Sequence, residues 1–320
     1  MIKTIHTLGA ALLAVSALTA SADDYPQRPI QVIVPYSAGG GTDVSMRILA
    51  ESMERNIPGA TIVVRNQSGG GGSIGTSGMV NARPDGYTLG TGLQGPLVLL
   101  PLLGGTAYNF DDVTYIGMFG RVPHVLAACA GAPFSDYEGF IAYASEHVPQ
   151  IANTGAGGSV QITTEAFAKN QGIKIESIPF NGAADSRTAC VGGHVDAMTG
   201  SPSEVLPQIR SGNLTPILVM EDQRLEALPD TPTAKEKGID FSWSSWKGLV
   251  APKGVPDDIL HTLRAGLEAS VADEQFLNSM RELNELPEYE EADTFRVRAQ
   301  EDTTIAEAIL RDIGMFGMNK

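Results

Sequence analysis

The chain has 320 residues, a formal net charge of −15 and two cysteines. That length accommodates two α/β domains and a sizeable core. The acidic balance argues against nucleic acid or an anionic membrane as partner, since both need a basic face.

Met1 to Ala22 reads as a secretory leader. Lys3 supplies the positive start, Leu8 to Leu18 the apolar stretch, and Ala20-Ser21-Ala22 a small-residue cleavage site before Asp23. No later apolar run approaches the ~18 residues of a membrane span, so the mature chain is expected to be soluble and exported. In an oxidising compartment Cys129 and Cys190 are free to pair, but two cysteines are no disulfide framework. Two buried thiols are the expectation, with a bridge as the alternative.

Ile30 to Val34 is a short, apolar, β-branched run closed by Pro35, hence a buried strand. Gly39, Gly40 and Gly41 follow, then a helix start that Thr42 or Asp43 can cap, with Val44, Met46, Ile48, Leu49 and Met53 as its inward stripe. The unpaired N–H groups of such a first turn can hold an anion without a charged side chain. A tight turn with no ligand is the plainer alternative.

Thr61 to Val64 is the next strand, then the glycine run Gly69 to Gly72, a weak helix Ile74 to Val80, and a strand Tyr87 to Gly92. Leu97 to Asp112 reads as irregular. Tyr115 to Phe119 and His124 to Ala128 read as one long interrupted strand. A second set of units follows: a helix Phe134 to His147, a strand Ile151 to Asn153, the glycine turn Thr154 to Gly158, and a helix Ser159 to Asn170. Strands at Ile175 to Pro179, Val195 to Met198 and Leu214 to Met220 alternate with helices ending near Val191 and Ser211. From Asp257 onward the chain reads as mostly helical.

Two enzyme-like patterns fall in the glycine run, Gly71-Gly-Ser-Ile-Gly75 and Gly70-Gly-Gly-Ser-Ile-Gly75. Both are weak. Ser73 lies well past its strand end, where a nucleophile elbow does not sit, and Asp85, in a Pro-Asp-Gly turn, is a poor ribose partner. An exported hydrolase using Ser73 stays as an alternative. The remaining histidines lack metal-site spacing, and no catalytic residue, metal or cofactor is assigned. What is left is two glycine loops, one in each half, each opening a helix at a strand's carboxyl end, where open α/β sheets bind ligands. Facing across a cleft, they suit a small molecule with two acidic groups.

The ordered motifs resemble the periplasmic solute-binding proteins of tripartite tricarboxylate transporters, the Bug family. They include Tyr25-Pro-x-Arg-Pro-Ile30, Val34-Pro-Tyr-x-Ala-Gly-Gly-Gly-Thr-Asp43, Asn66 with Gly70 to Gly75, and Pro84-Asp-Gly-Tyr-Thr-Leu89. Gly155-x-Gly-Gly-Ser159, Pro179-Phe-x-Gly182, Gly192-Gly-x-Val-Asp196, Leu228-Pro-Asp-x-Pro-Thr233, Trp246-x-Gly-Leu-x-Ala-Pro252 and Gly254-Val-Pro256 continue the match over essentially the whole mature chain.

The resemblance implies an α/β, two-domain type II periplasmic-binding-protein fold, non-catalytic and monomeric, with a cleft for a di- or tricarboxylate or an aromatic acid. It also implies a periplasmic location and delivery to one large and one small membrane subunit. An orphan sensor with the same fold is a further alternative. The expected layout is a leader at 1–22, one domain from 23–120 and 219–320, and the other from 121–218. Ligand contacts are expected at Tyr36, Ser37, Ala38, Gly39, Gly40, Gly41, Thr42 and Asp43, and at Gly155, Ala156, Gly157, Gly158, Ser159 and Gln161. Asn181, Gly182 and Ser201 border the same cleft. The family commonly has a histidine in place of Gln161, a lysine in place of Asn181 and an aromatic in place of Lys247. Lys247 is read either as a cleft-rim residue tuning selectivity or as a solvated lysine.

Overall fold

The computed structural model describes residues 25–36, 38–154, 156–180, 183–239 and 244–319. The leader and the cleavage point expected after Ala22 lie outside them. The chain starts with β1 (Ile30–Val34), α1 (Gly41–Asn56), β2 (Ile62–Asn66), α2 (Ser73–Val80), β3 (Thr88–Leu93), α3 (Leu100–Leu103) and β4 (Val113–Val122). Next come β5 (Val125–Ala128), α4 (Tyr137–Glu146), β6 (Gln150–Asn153), α5 (Ser159–Gln171), β7 (Glu176–Pro179), α6 (Ala183–Val191), β8 (Ala197–Gly200), α7 (Pro202–Arg210) and β9 (Thr215–Val219). It ends with β10 (Ser245–Pro252), α8 (Asp257–Val271), α9 (Glu274–Glu282), β11 (Leu286–Glu291) and α10 (Ala292–Asp312).

Two sheets result, one per domain. The first has six strands in the order β11-β4-β10-β3-β1-β2, and the second five in the order β7-β6-β8-β5-β9. β1 pairs in parallel with β2 and β3, whereas β10 runs antiparallel between β3 and β4. Both sheets are covered on both faces, so central strands such as β1, β5 and β8 are buried along almost their whole length. In β1, Ile30, Val32 and Val34 enter one core with α1, α8 and α9, and Ile33 enters the opposite core with α10. At roughly 1.5–3 kcal/mol for each fully buried aliphatic side chain, these residues anchor the strand end from which the first glycine loop departs.

The interrupted strand expected around residue 120 is two strands on different sheets, with Pro123 and His124 between them. The chain returns between β9 and β10. The first sheet keeps Arg121 and Val122 and the second keeps Val219, so the sheets end one to two residues beyond the limits expected at 120/121 and 218/219. Arg121 ties both crossings, donating to Glu221 Oε2 at 2.8 Å and to Ser244 Oγ at 3.3 Å, and its Nε donates to Glu288 Oε2 at 2.6 Å.

Two expectations are corrected. Residues 97–103 are not irregular, although 104–112 are: a π-turn Gly95–Leu99 runs into α3, burying Leu97, Val98, Leu99 and Leu103. Pro96 and Pro101 sit at first-turn positions, where proline is tolerated. The C-terminal part is mostly helical, as expected, with one strand, β11, pairing along the edge of the first sheet. Its polar composition and Pro287 suit an edge strand. Cys129 and Cys190 are not two thiols but a disulfide, with Cα atoms 4.8 Å apart, inside the second domain's core.

Candidate functional site

The two glycine loops are built alike. Ala38-Gly-Gly-Gly-Thr-Asp43 leads into α1 and Ala156-Gly-Gly-Ser-Val-Gln161 into α5. Gly39 and Gly157 both have positive φ, +79° and +70°. Gly40 and Gly158 are the N-caps, with nearly identical extended backbones at φ −78°, ψ 163° and φ −77°, ψ 166°, and neither helix has a side-chain cap. The first helical bonds run from Val44 N–H to Gly40 O and from Ile162 N–H to Gly158 O. The first-turn N–H groups ahead of them have no helical acceptor.

Both N-termini line one cavity of about 500 Å³ between the sheets. Tyr36, Gly41 and Thr42 line it from the first domain, and Ala156, Gly157, Gly158, Ser159, Val160 and Ser201 from the second. Lys247 lines it as well. Burial, with a smaller contribution from Tyr108, pushes the Tyr36 phenol up to about 12, so it remains a neutral donor at physiological pH.

Other expected contacts are placed differently. Asp43 and Gln161 are buried braces rather than lining residues. Asp43 Oδ2 accepts the Gly39 N–H at 2.8 Å, and Gln161 Oε1 accepts the Gly157 N–H at 2.6 Å. Asp43 therefore caps backwards into the loop instead of capping its own helix. Burial opposes its charge, but hydrogen bonds from Arg47, Gly39 and Asn66 hold its carboxyl below the usual range. Ala38, Gly39 and Gly40 form the exposed loop tip, outside the lining. Ser37, Gly155, Asn181 and Gly182 lie outside the described residues. Ser73 starts α2 in ordinary helical geometry, φ −63° and ψ −34°, and is not on the cavity wall. That is no nucleophile elbow.

Lys247 is neither at the rim nor solvated. It is 4% exposed, and its Nζ donates to Glu285 Oε1 at 2.6 Å, Ser45 Oγ at 2.9 Å and Gly41 O at 3.3 Å. Burial pushes the ammonium down and the Glu285 carboxyl up, and each charge opposes the other's shift. Glu285 Oε2 is buried without a hydrogen-bond partner.

His124, at the first crossing, is also buried on the wall. Thr163 Oγ1 donates to Ser159 O at 2.8 Å, so it accepts from His124 Nδ1–H at 2.7 Å. Ser245 Oγ lies 3.3 Å from Nε2 and donates to Ser159 Oγ at 2.7 Å. This chain joins β10 of one domain to α5 of the other. Burial pushes the imidazole down to about 4.

Sequence reasoning missed Glu204, His124, Ser245 and Glu285. Glu204 carries a readable signal, the Ser-x-x-Glu capping box with Ser201. His124 interrupts an apolar run beside Pro123. Glu285 has no local signal at all.

The sequence model of the tripartite tricarboxylate transporter family receptor matches residues 45–315. Protein BugT of Bordetella pertussis is 34% identical over 76% of this chain and 76% of its own length. A crystal structure of a TctC solute binding protein from Polaromonas, without ligand, is 32% identical and superimposes with a TM-score of 0.79 over 90% of this chain and 99% of that one. MatC from Rhodopseudomonas palustris with bound malate is 26% identical, with a TM-score of 0.73 over 89% of this chain and 100% of that one.

Proposed function

This chain belongs to the tripartite tricarboxylate transporter receptor family, whose members are solute-binding proteins rather than enzymes, and from that premise we propose that it captures a small organic carboxylate between its two domains. The observation that carries this is the pair of N-termini, of α1 and α5, that line one cavity without side-chain caps. Each presents unpaired N–H groups and the positive end of a helix dipole, about half a unit charge apiece. Two such ends, one per domain, suit an anion that bridges them. The malate in the related MatC structure supports the same ligand class.

The ligand is held by Tyr36, Gly41 and Thr42 on one side and by Ala156, Gly157, Gly158, Ser159 and Ser201 on the other, through N–H groups, hydroxyls and water. The domains are 25–122 with 245–319 and 125–219, and they close on the ligand about the crossings at 123–124 and 220–244. The protein is exported after cleavage at Ala22, acts in the periplasm as a monomer, and hands its ligand to a large and a small membrane subunit. A thermal-shift screen with mono-, di- and tricarboxylates tests the binding step, because a ligand specific to the folded state stabilises it by RT ln(1 + [L]/Kd). A concentration-dependent rise with at least one acid is expected. No rise with any acid at millimolar concentration would overturn the proposal.

A further inference from the structure

We propose that Ser245 aims the Ser159 hydroxyl at the bound acid, so that α5 offers a side-chain donor that is set only while β10 of the other domain lies against it. This deepens the carboxylate proposal above and rests on it. Ser159 is the first residue of α5 and lines the cavity. Its N–H belongs to the first turn and has no helical acceptor. Its hydroxyl is a second donor on the same residue, and the direction of that proton depends on what the oxygen accepts.

Ser245 Oγ donates to Ser159 Oγ at 2.7 Å, the usual length of an O–H···O bond. The other acceptor within reach of Ser245, His124 Nε2, is farther away at 3.3 Å. His124 is neutral at physiological pH, because burial pushes it down to about 4. Its single N–H is committed to Thr163, so it donates to neither serine. Thr163 in turn holds the Ser159 carbonyl at 2.8 Å. With the Ser245 bond accepted, the Ser159 oxygen keeps its own proton to give, and among the described residues no acceptor takes it. An acid in the cavity supplies that acceptor. Ser245 opens β10 in the first sheet, whereas Ser159 belongs to the second domain. Parting the domains breaks the bond and lets the hydroxyl rotate, so closure and ligand capture share one hydrogen bond.

Calorimetry at pH 7 on the mature chain, with succinate, malate, citrate and benzoate, tests this. The variants are titrated with whichever of the four binds wild type most tightly. Ser159→Ala removes the donor and should weaken binding about tenfold or more, the scale of one hydrogen bond to a charged group. Ser245→Val leaves the donor without its orientation and should weaken binding less, by about three- to fivefold. Ser245→Thr has the shape of the valine variant and keeps the hydroxyl, so it should recover most of that loss. With Ser159→Ala in place, Ser245→Val should cost less than about twofold more. Equal losses from Ser159→Ala and Ser245→Val would mean that the bond only anchors α5, and would overturn the proposal. So would equal effects of Ser245→Val in both backgrounds, or no recovery with threonine. Each of these results leaves carboxylate binding intact. If none of the four acids binds, the carboxylate proposal falls and this one with it. Should Ser245→Val fail to fold, Ser245→Ala takes its place in the same comparison.

Discussion

Asp43 and Gln161 hold equivalent places in two loops of different domains. Each lies four residues beyond a positive-φ glycine and accepts that glycine's N–H, at 2.8 Å from Gly39 and 2.6 Å from Gly157. One acceptor is a carboxylate and the other an amide, so the shared requirement is an oxygen that fixes the loop while the helix N–H groups ahead of it stay open. The braces hold both glycine loops in the same geometry ahead of their helices.

Gln161→Leu removes one brace and leaves the Gly157 N–H without its acceptor. Stability is expected to fall by about 1–3 kcal/mol, and affinity for a bound acid by about tenfold as the loop relaxes. Urea unfolding and calorimetry on the same variant check both. Unchanged stability and affinity would remove the bracing role.

Glycine is required at Gly157 and not at Gly40. At Gly157 the φ of +70° disfavours any side chain, and an added Cβ would lie 2.6 Å from Leu103 Cδ1. Gly157→Ala should cost about 1–3 kcal/mol. Gly40 is extended, at φ −78°, and exposed, so Gly40→Ala should stay within about 0.5 kcal/mol of wild type. Denaturant midpoints of the two variants measure the contrast, and equal losses would contradict it.

His124 makes the fold acid-sensitive. Its folded value of about 4 lies below the ordinary 6.5, because burial disfavours the imidazolium. The unfolded chain therefore binds the extra proton first. The contribution is fully present above pH 6.5 and is lost as the pH falls towards 4, by up to about 3 kcal/mol. His124→Asn, which can still donate to Thr163, should lack that part of the pH slope. Unfolding free energies at pH 7, 5.5 and 4 for both proteins are the measurement, and parallel profiles would contradict it.

The Cys129–Cys190 bond closes a 61-residue separation. Loop-closure entropy sets its contribution at about 2–4 kcal/mol. Reduction with dithiothreitol should lower the unfolding free energy by that amount, and a transition insensitive to reductant would contradict it.

The parts of this design readable in the sequence are those written locally. The loops before α1 and α5 follow apolar strands, and their glycines mark the turn. The strand pair β4 and β5 was half readable: its apolar run is plain, but only the three-dimensional sheets show that Pro123 and His124 pass it from one domain to the other. The Lys247–Glu285 pair was not readable, because its partners are 38 residues apart and neither sits in a periodic pattern. Burial of a lysine against a glutamate is a consequence of β10 lying inside the sheet, and that position depends on pairing with β3 and β4.

The most direct test of carboxylate capture by helix N-termini is a calorimetric comparison of Gly41→Pro with Gly41→Ala. Gly41 is the first residue of α1, where proline is tolerated, and Gly40 already has the extended backbone that precedes a proline. An added Cβ meets only Glu285 Oε1, at an ordinary 3.6 Å. Proline removes one N–H at the cavity wall, and alanine keeps it. The titrant is the acid that gives the largest thermal shift. Both variants should fold, with Gly41→Ala binding within about threefold of wild type and Gly41→Pro weakened about tenfold or more. A folded Gly41→Pro variant that binds the acid as tightly as wild type would contradict the account.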